Sequence, residues 1–147
     1  MRAIVQRVSR AEVRVGGRAV GRIGPGLVIL LGVGRSDTEK DAEFILDRVR
    51  GMRILADPAG RMNLALATSR GALLIVSQFT LFADTSQRRP SFSAAAPADQ
   101  ARHLYDYFVR RARENGLEVA TGEFGAHMEV ELVNDGPVTI LLDSRPA

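Results

Sequence analysis

The 147-residue chain contains no cysteine. Its absence excludes a disulfide framework and thiolate metal sites, and leaves nothing that argues for export into an oxidising compartment. Histidine is almost as scarce, with only His103 and His127 present. One is expected on a helix and the other on a strand, without short ligand spacing, so a surface or core histidine is a better default than a zinc or iron ligand. No apolar run approaches the ~18 residues of a membrane span, and the opening "MRAIVQRVSR" lacks the apolar segment of a signal peptide. The expectation is a cytoplasmic protein without membrane association, metal or other cofactor. Lysine is reduced to Lys40 among 20 basic residues, at a net charge of +3. The planar fork of arginine suits phosphate and makes a nucleic-acid partner plausible, but arginines spread along the chain and not massed in one block fit a genomic base bias better.

No linker, repeat or low-complexity tract divides the chain, and its length suits one hydrophobic core. "RAIVQRV" and "AEVRV" alternate with period two and read as two strands, with turns at Gly16-Gly17 and "GRIGPG". "LVILLGV" is continuously apolar and is expected to be buried on both faces. Ser36 and Glu39 have the spacing of a capping box. The helix they would open, "TEKDAEFILDRVRGM", places Ala42, Ile45, Leu46 and Val49 on one face. "RILAD" reads as a short strand, "DPAG" as a turn and "ALLIVSQFTLF" as the most apolar strand. The second helix, "DQARHLYDYFVRRAREN", has an apolar stripe of Ala101, Leu104, Tyr105, Phe108 and Ala112, ended by Gly116. Three more β segments follow. The predicted architecture is a single α+β domain over residues 1–147, with two helices packed on a mainly antiparallel sheet or partly closed barrel.

Familiar catalytic motifs are missing. No G-x-S-x-G elbow is present, and "GVGRSD" lacks the third glycine and the lysine of phosphate-binding loops, so it reads as a helix cap. Three stretches carry more. In "SQFTLF", Ser77, Gln78 and Thr80 interrupt an apolar strand; they line a pocket or simply satisfy a strand end, and the stretch alone does not decide. "RRPSFS" joins Arg88 and Arg89 to a stiffened turn, Ser91 and the aromatic Phe92. That combination suits a phosphate and a stacked base, or an ordinary mobile loop. "VNDGPVTI" packs four turn formers between apparent strands, and the Gly136-Pro137 step is more than a hairpin tip requires.

"SQFTL", "RPSF", "LYDYF" and "NDGPVT", in this order and at these separations, closely resemble D-aminoacyl-tRNA deacylases, and "QRVSRAEVRV" and "GLVILLGV" extend the resemblance over essentially the whole chain. The resemblance implies hydrolysis of the ester joining a D-amino acid, or glycine, to the terminal adenosine of tRNA. It also implies a homodimer in which a cis Gly136-Pro137 step enters the partner's pocket beside Ser77 to Leu81. Two fixed backbone carbonyls would accept from the substrate ammonium and occupy the space an L side chain needs, so selectivity works by exclusion. Glycine, lacking a side chain, would be poorly excluded.

Backbone N–H groups of Phe79 and Thr80 would form an oxyanion hole, a donor of which is typically worth about 3–4 kcal/mol. Gln78 would position the ribose or ester, and the adenosine 2′-hydroxyl would assist water. By matching position, Ala101 lies near the terminal adenosine, Phe124 and Met128 wall the pocket, and Arg7 supports the Gly-Pro loop. Two other readings stand beside this one. The first is a non-catalytic dimer holding tRNA 3′ ends through Arg88, Arg89, Ser91 and Phe92. The second is an esterase with Thr80 as nucleophile, which would need a nearby base.

Overall fold

A computed structural model describes residues 1–145. Its first strand, β1 (Arg2–Val15), is continuous and covers both segments predicted as separate strands. The two halves nevertheless have different neighbours. Residues 2–8 pair antiparallel with β3 (Gly26–Gly32), whereas residues 11–15 pair with β2 (Arg18–Ile23). Parallel pairing continues the sheet from β3 to β6 (Ala72–Ser77) and on to β7 (Glu118–Thr121). β7 then approaches β2, so the mixed sheet nearly closes into a barrel. A small antiparallel pair, β4 (Leu55–Ala56) with β5 (Met62–Leu64), stands apart.

The continuous apolar strands are explained by two separate cores. In β3 and β6, Val28, Leu74 and Val76 face the barrel interior with Val8, Val13 and Ile23. The alternate residues Leu27, Ile29, Leu31, Leu73 and Ile75 face the helices. Period-two side-chain alternation therefore delivers apolar groups to both sides, as parallel strands covered on both faces require. Each fully buried side chain of this kind contributes about 1.5–3 kcal/mol. Helices α1 (Glu39–Gly51) and α2 (Ala98–Glu114) supply the outer layer, and every residue of both predicted apolar stripes is buried. Phe108 is the largest of those that are fully buried.

Three local expectations are corrected. Helix α1 is capped by Thr38 and Asp41, two residues later than Ser36 and Glu39. Asp37 is the reason: it is buried, accepts the Gly34 N–H at 2.6 Å and pairs with the Met1 ammonium at 2.7 Å, which turns residues 34–37 before the helix begins. The Asp41 carboxylate then accepts the Thr38 N–H at 2.8 Å. Burial would raise its pKa, but hydrogen bonds from Arg145, the Thr38 N–H and Ser144 outweigh that and hold it well below the usual carboxylate range.

The second correction concerns "SQFTLF". β6 ends at Ser77, and Phe79–Phe82 forms a single 3-10 turn. Third, the three β segments expected after the second helix are two, because the apparent strands on either side of "NDGP" form one strand, β8 (Glu129–Asp143), whose two halves both pair antiparallel with β1. His127, expected on a strand, lies just before it. The register passes from Val8↔Asn134 to Gln6↔Thr139, so residues 135–138 bulge out opposite Arg7. Turn residues mark a departure from the ladder without saying whether the chain reverses.

Candidate active site

The end of β6 and the start of α2 enclose a cavity of about 640 Å³. Ser77, Gln78 and Phe79 form one wall, and Pro97, Ala98 and Ala101 from the start of α2 form another. Phe124, Met128 and Val130 close the third side, with Phe92 and Arg35 at the edge. A mainly apolar cleft with few polar groups is the usual form of a small-molecule site.

Gln78 directs the chain out of the sheet. Its N–H still donates to Leu31 O at 2.8 Å, but φ of −142° and ψ of 78° end the strand. The following turn packs over the end of β3, where Gly32 leaves the room. A Cβ at that position would lie 2.9 Å from Gln78 O and 3.0 Å from the Leu81 Cβ. Because Phe79 and Thr80 open the 3-10 turn, their N–H groups have no earlier carbonyl in it to bond. Among the described residues neither has an acceptor, whereas the Leu81 N–H reaches Gln78 O at 3.2 Å. The Thr80 hydroxyl is exposed and accepts a hydrogen bond from Gln78 Nε2.

The opposite wall is held by Tyr105. Its hydroxyl donates to Ile75 O at 2.7 Å beneath the pocket, and its ring packs 5.9 Å from that of Phe124. Burial, and to a lesser degree Asp106, push its pKa up to about 12. The phenol therefore stays protonated and serves as a fixed donor. At the mouth, Phe79 and Phe92 meet edge to face with centroids 5.1 Å apart, and both remain substantially exposed. Phe92 is delivered by a loop closed by reciprocal hydrogen bonds between Asp84 and Ser91 at 2.7 and 3.0 Å. Arg88 and Arg89 are exposed on that loop and outside the cavity lining. Ser91 Oγ lies 3.3 Å from Ser93 Oγ.

Arg7, Gly136 and Pro137 form a second cluster. The Gly136-Pro137 peptide is cis, and Gly136 has φ of +137°. Arg7 Nε donates to Asp135 O at 2.9 Å, while Nη1 donates to Ile54 O at 2.8 Å. Asn134 Oδ1 accepts the Val138 N–H at 3.0 Å, closing the base of the bulge. None of the three residues lines the cavity, so a single chain does not bring the two clusters together. Gly32 and Arg35 were missed in the sequence. The strand-ending glycine had a signal in "LLGVG", whereas Arg35 had none beyond its charge.

Among the described residues, no three His, Cys, Asp or Glu side chains are grouped to hold a metal ion, and no helix is long and apolar enough to cross a membrane. Comparison with known proteins gives a consistent result. A D-aminoacyl-tRNA deacylase of Anaeromyxobacter dehalogenans is 58% identical, over 99% of this chain and 98% of the relative. One of Symbiobacterium thermophilum is 57% identical, over 99% and 97%. Among solved structures, the c-Myc DNA Unwinding Element Binding Protein superposes with a TM-score of 0.93 at 38% identity, covering 100% of both chains. A probable eukaryotic D-amino acid tRNA deacylase shares the fold at a TM-score of 0.84 and 18% identity, over 96% of this chain and 97% of that one. Residues 4–143 match the family described as D-Tyr-tRNA(Tyr) deacylase, and the chain belongs to that family.

Proposed function

We propose that this protein hydrolyses the ester bond of D-aminoacyl-tRNA, and of mischarged glycyl-tRNA, releasing the amino acid and intact tRNA. The observation that carries the reading is the pair of adjacent N–H groups, Phe79 and Thr80, which have no acceptor among the described residues and stand at the edge of an apolar pocket. Ester hydrolysis develops negative charge on the carbonyl oxygen, and preorganised backbone donors stabilise that charge in a low-dielectric site. Gln78 orients the ribose or ester. The terminal adenosine lies toward Ala101, between the helix start and the wall of Phe124 and Met128, and its 2′-hydroxyl assists the attacking water.

Selectivity comes from a second subunit. Gly136 and Pro137 of one subunit enter the other's pocket beside Ser77, where their carbonyls accept from the α-ammonium and exclude an L side chain. Arg7 holds this bulge by its bonds to Asp135 and Ile54. The edge of β8 away from β1 supports a homodimer: among the described residues it has no strand partner, and Val130, Val133 and Leu141 are exposed along it. A fifteen-residue edge strand of this kind favours pairing with another chain. The exposed Arg88, Arg89, Ser91 and Phe92 extend the contact onto the RNA.

The Thr80-nucleophile alternative fits less well, because the hydroxyl's hydrogen-bond partner is an amide donor, which cannot act as a base. The deciding experiment is release of amino acid from D-tyrosyl-tRNA and L-tyrosyl-tRNA by the purified protein with a chelator present. Rapid loss of the D ester alone is expected. Tight tRNA binding without release of either would favour the binding-module reading.

A further inference from the structure

A second cavity, of about 390 Å³, adjoins the first, and Arg35 lines both. The partition between them is the bridge that pairs Gly34 with Ala95. Two other arginines line the second cavity, and both are neutralised: Arg2 Nε pairs with Asp143 at 3.1 Å, and Arg145 Nε with Asp41 at 3.1 Å. Arg35 has no acidic partner among the described residues, although its position is fixed from three sides. Its Nε donates to Ser93 O, its N–H donates to Ala94 O at 3.2 Å, and its carbonyl accepts from Gln100 Nε2 at 3.0 Å. Both Nη groups remain without an acceptor among the described residues. The result is an exposed cation, anchored at one nitrogen and offering two, on the rim of the reaction pocket.

We infer that Arg35 is a positioning residue that grips the phosphodiester joining the terminal adenosine to the preceding nucleotide, with the RNA strand leaving the pocket across Arg35 toward the second cavity. This rests on the deacylase reading for what fills the pocket. An adenosine held there continues through its 5′ oxygen into the rest of the RNA, so a phosphate must cross the rim. A guanidinium with both Nη groups free matches two phosphate oxygens in one plane. The start of α2 lies on the same rim through Pro97 and Ala98, adding the partial positive charge of a helix N-terminus. Asp99 on that turn accepts the Gln100 N–H at 2.9 Å and lines neither cavity.

The test uses Arg35→Gln and Arg35→Lys. KM and kcat are measured with D-tyrosyl-tRNA and with D-tyrosyl-adenosine, which lacks the phosphate, and uncharged tRNA binding is followed over a salt series. Losing a charge-assisted contact should raise KM for the tRNA ester roughly tenfold or more in Arg35→Gln, with a much smaller rise for the adenosine ester. The slope of log affinity against log salt should become shallower by about 0.7, the value for one phosphate on a single strand. Arg35→Lys should keep the slope and recover only part of the affinity, because a point charge cannot fork. Equal KM rises on both esters would mean that Arg35 acts by shaping the pocket through Ser93 and would overturn the inference, as would an unchanged slope. If the wild type cleaves neither ester but Arg35→Gln still flattens the slope, the phosphate contact stands and the deacylase reading falls. If Arg35→Gln does not fold, a KM rise confined to the tRNA ester in Arg35→Lys supports the inference, and an equal rise on both esters overturns it.

Discussion

The turn that follows Ser77 at the pocket wall and the bulge at residues 135–138 both interrupt a strand, but they do so by different means. β6 stops: its parallel partner β3 ends alongside it, and the chain turns over Gly32, leaving two donors unpaired. β8 does not stop. Both its halves continue along β1, and the surplus residues are extruded opposite Arg7, which places the Gly136 and Pro137 carbonyls outside the ladder. One interruption makes a concave site presenting N–H groups; the other makes a protrusion presenting acceptors. Releasing backbone groups from a sheet thus yields either polarity, and the pairing of the neighbouring strand decides which.

Breaking the protrusion should have the largest effect. In Gly136→Ala the residue would sit at φ of +137° with its new Cβ 2.8 Å from Val138 Cγ2 and 3.0 Å from Arg7 Nη2. A displaced bulge misplaces the substrate, and an error near 1 Å can cost on the order of 100-fold. We expect a loss of that size in kcat/KM for D-tyrosyl-tRNA, measured by single-turnover hydrolysis, with the far-UV spectrum of the fold retained. Arg7→Ala removes the bonds to Asp135 O and Ile54 O while sparing the bulge's own residues. Loss of charge-assisted bonds should lower stability by about 1.5–3 kcal/mol in a urea titration, and discrimination against the L ester should fall in the same preparation.

Changes on the concave side sharpen the comparison by separating support from chemistry. Tyr105→Phe deletes the short donor to Ile75 O under the pocket and leaves the long 3.4 Å bond from the Gly122 N–H. Chemical denaturation should show a loss of about 1 kcal/mol, with activity at subsaturating substrate lowered only modestly. Thr80→Ala should have the smallest effect, because it removes a hydroxyl and keeps the N–H that the mechanism uses. Activity should stay within about tenfold of wild type, well short of the loss expected on deleting a nucleophile. A collapse of turnover with tRNA binding intact would restore Thr80 to a chemical role.

The sequence made some parts of this molecule easy to read. The stripes Ala42–Val49 and Ala101–Ala112 are local consequences of helical period, and both are buried as their spacing implies. "LVILLGV" showed a strand covered on both faces, which the structure resolves into a barrel side and a helix side. The stretch Ser77, Gln78 and Phe79 lines one cavity with Phe92, Ala101, Phe124 and Met128, which come from other parts of the chain. Periodicity groups none of them; resemblance to a family associates all but Phe92, which was read with the RNA-contacting loop. Other features depended on partners that local pattern does not specify. The helix start moved from Ser36 to Thr38 because a buried Asp37 found Gly34 and the Met1 ammonium.

By itself, then, the sequence determined the period of each element, the apolar faces and the places where the chain must leave regular structure, since these follow from side-chain volume and backbone propensity over a few residues. Tertiary structure decided what each departure became. Pairing with β1 made "NDGPV" a bulge in a continuous strand, the end of β3 made "FTLF" a turn with two free donors, and the bridge at Gly34 placed Arg35 between two cavities. Those outcomes rest on contacts between residues remote in sequence, whose free energy appears only when the sheet is assembled.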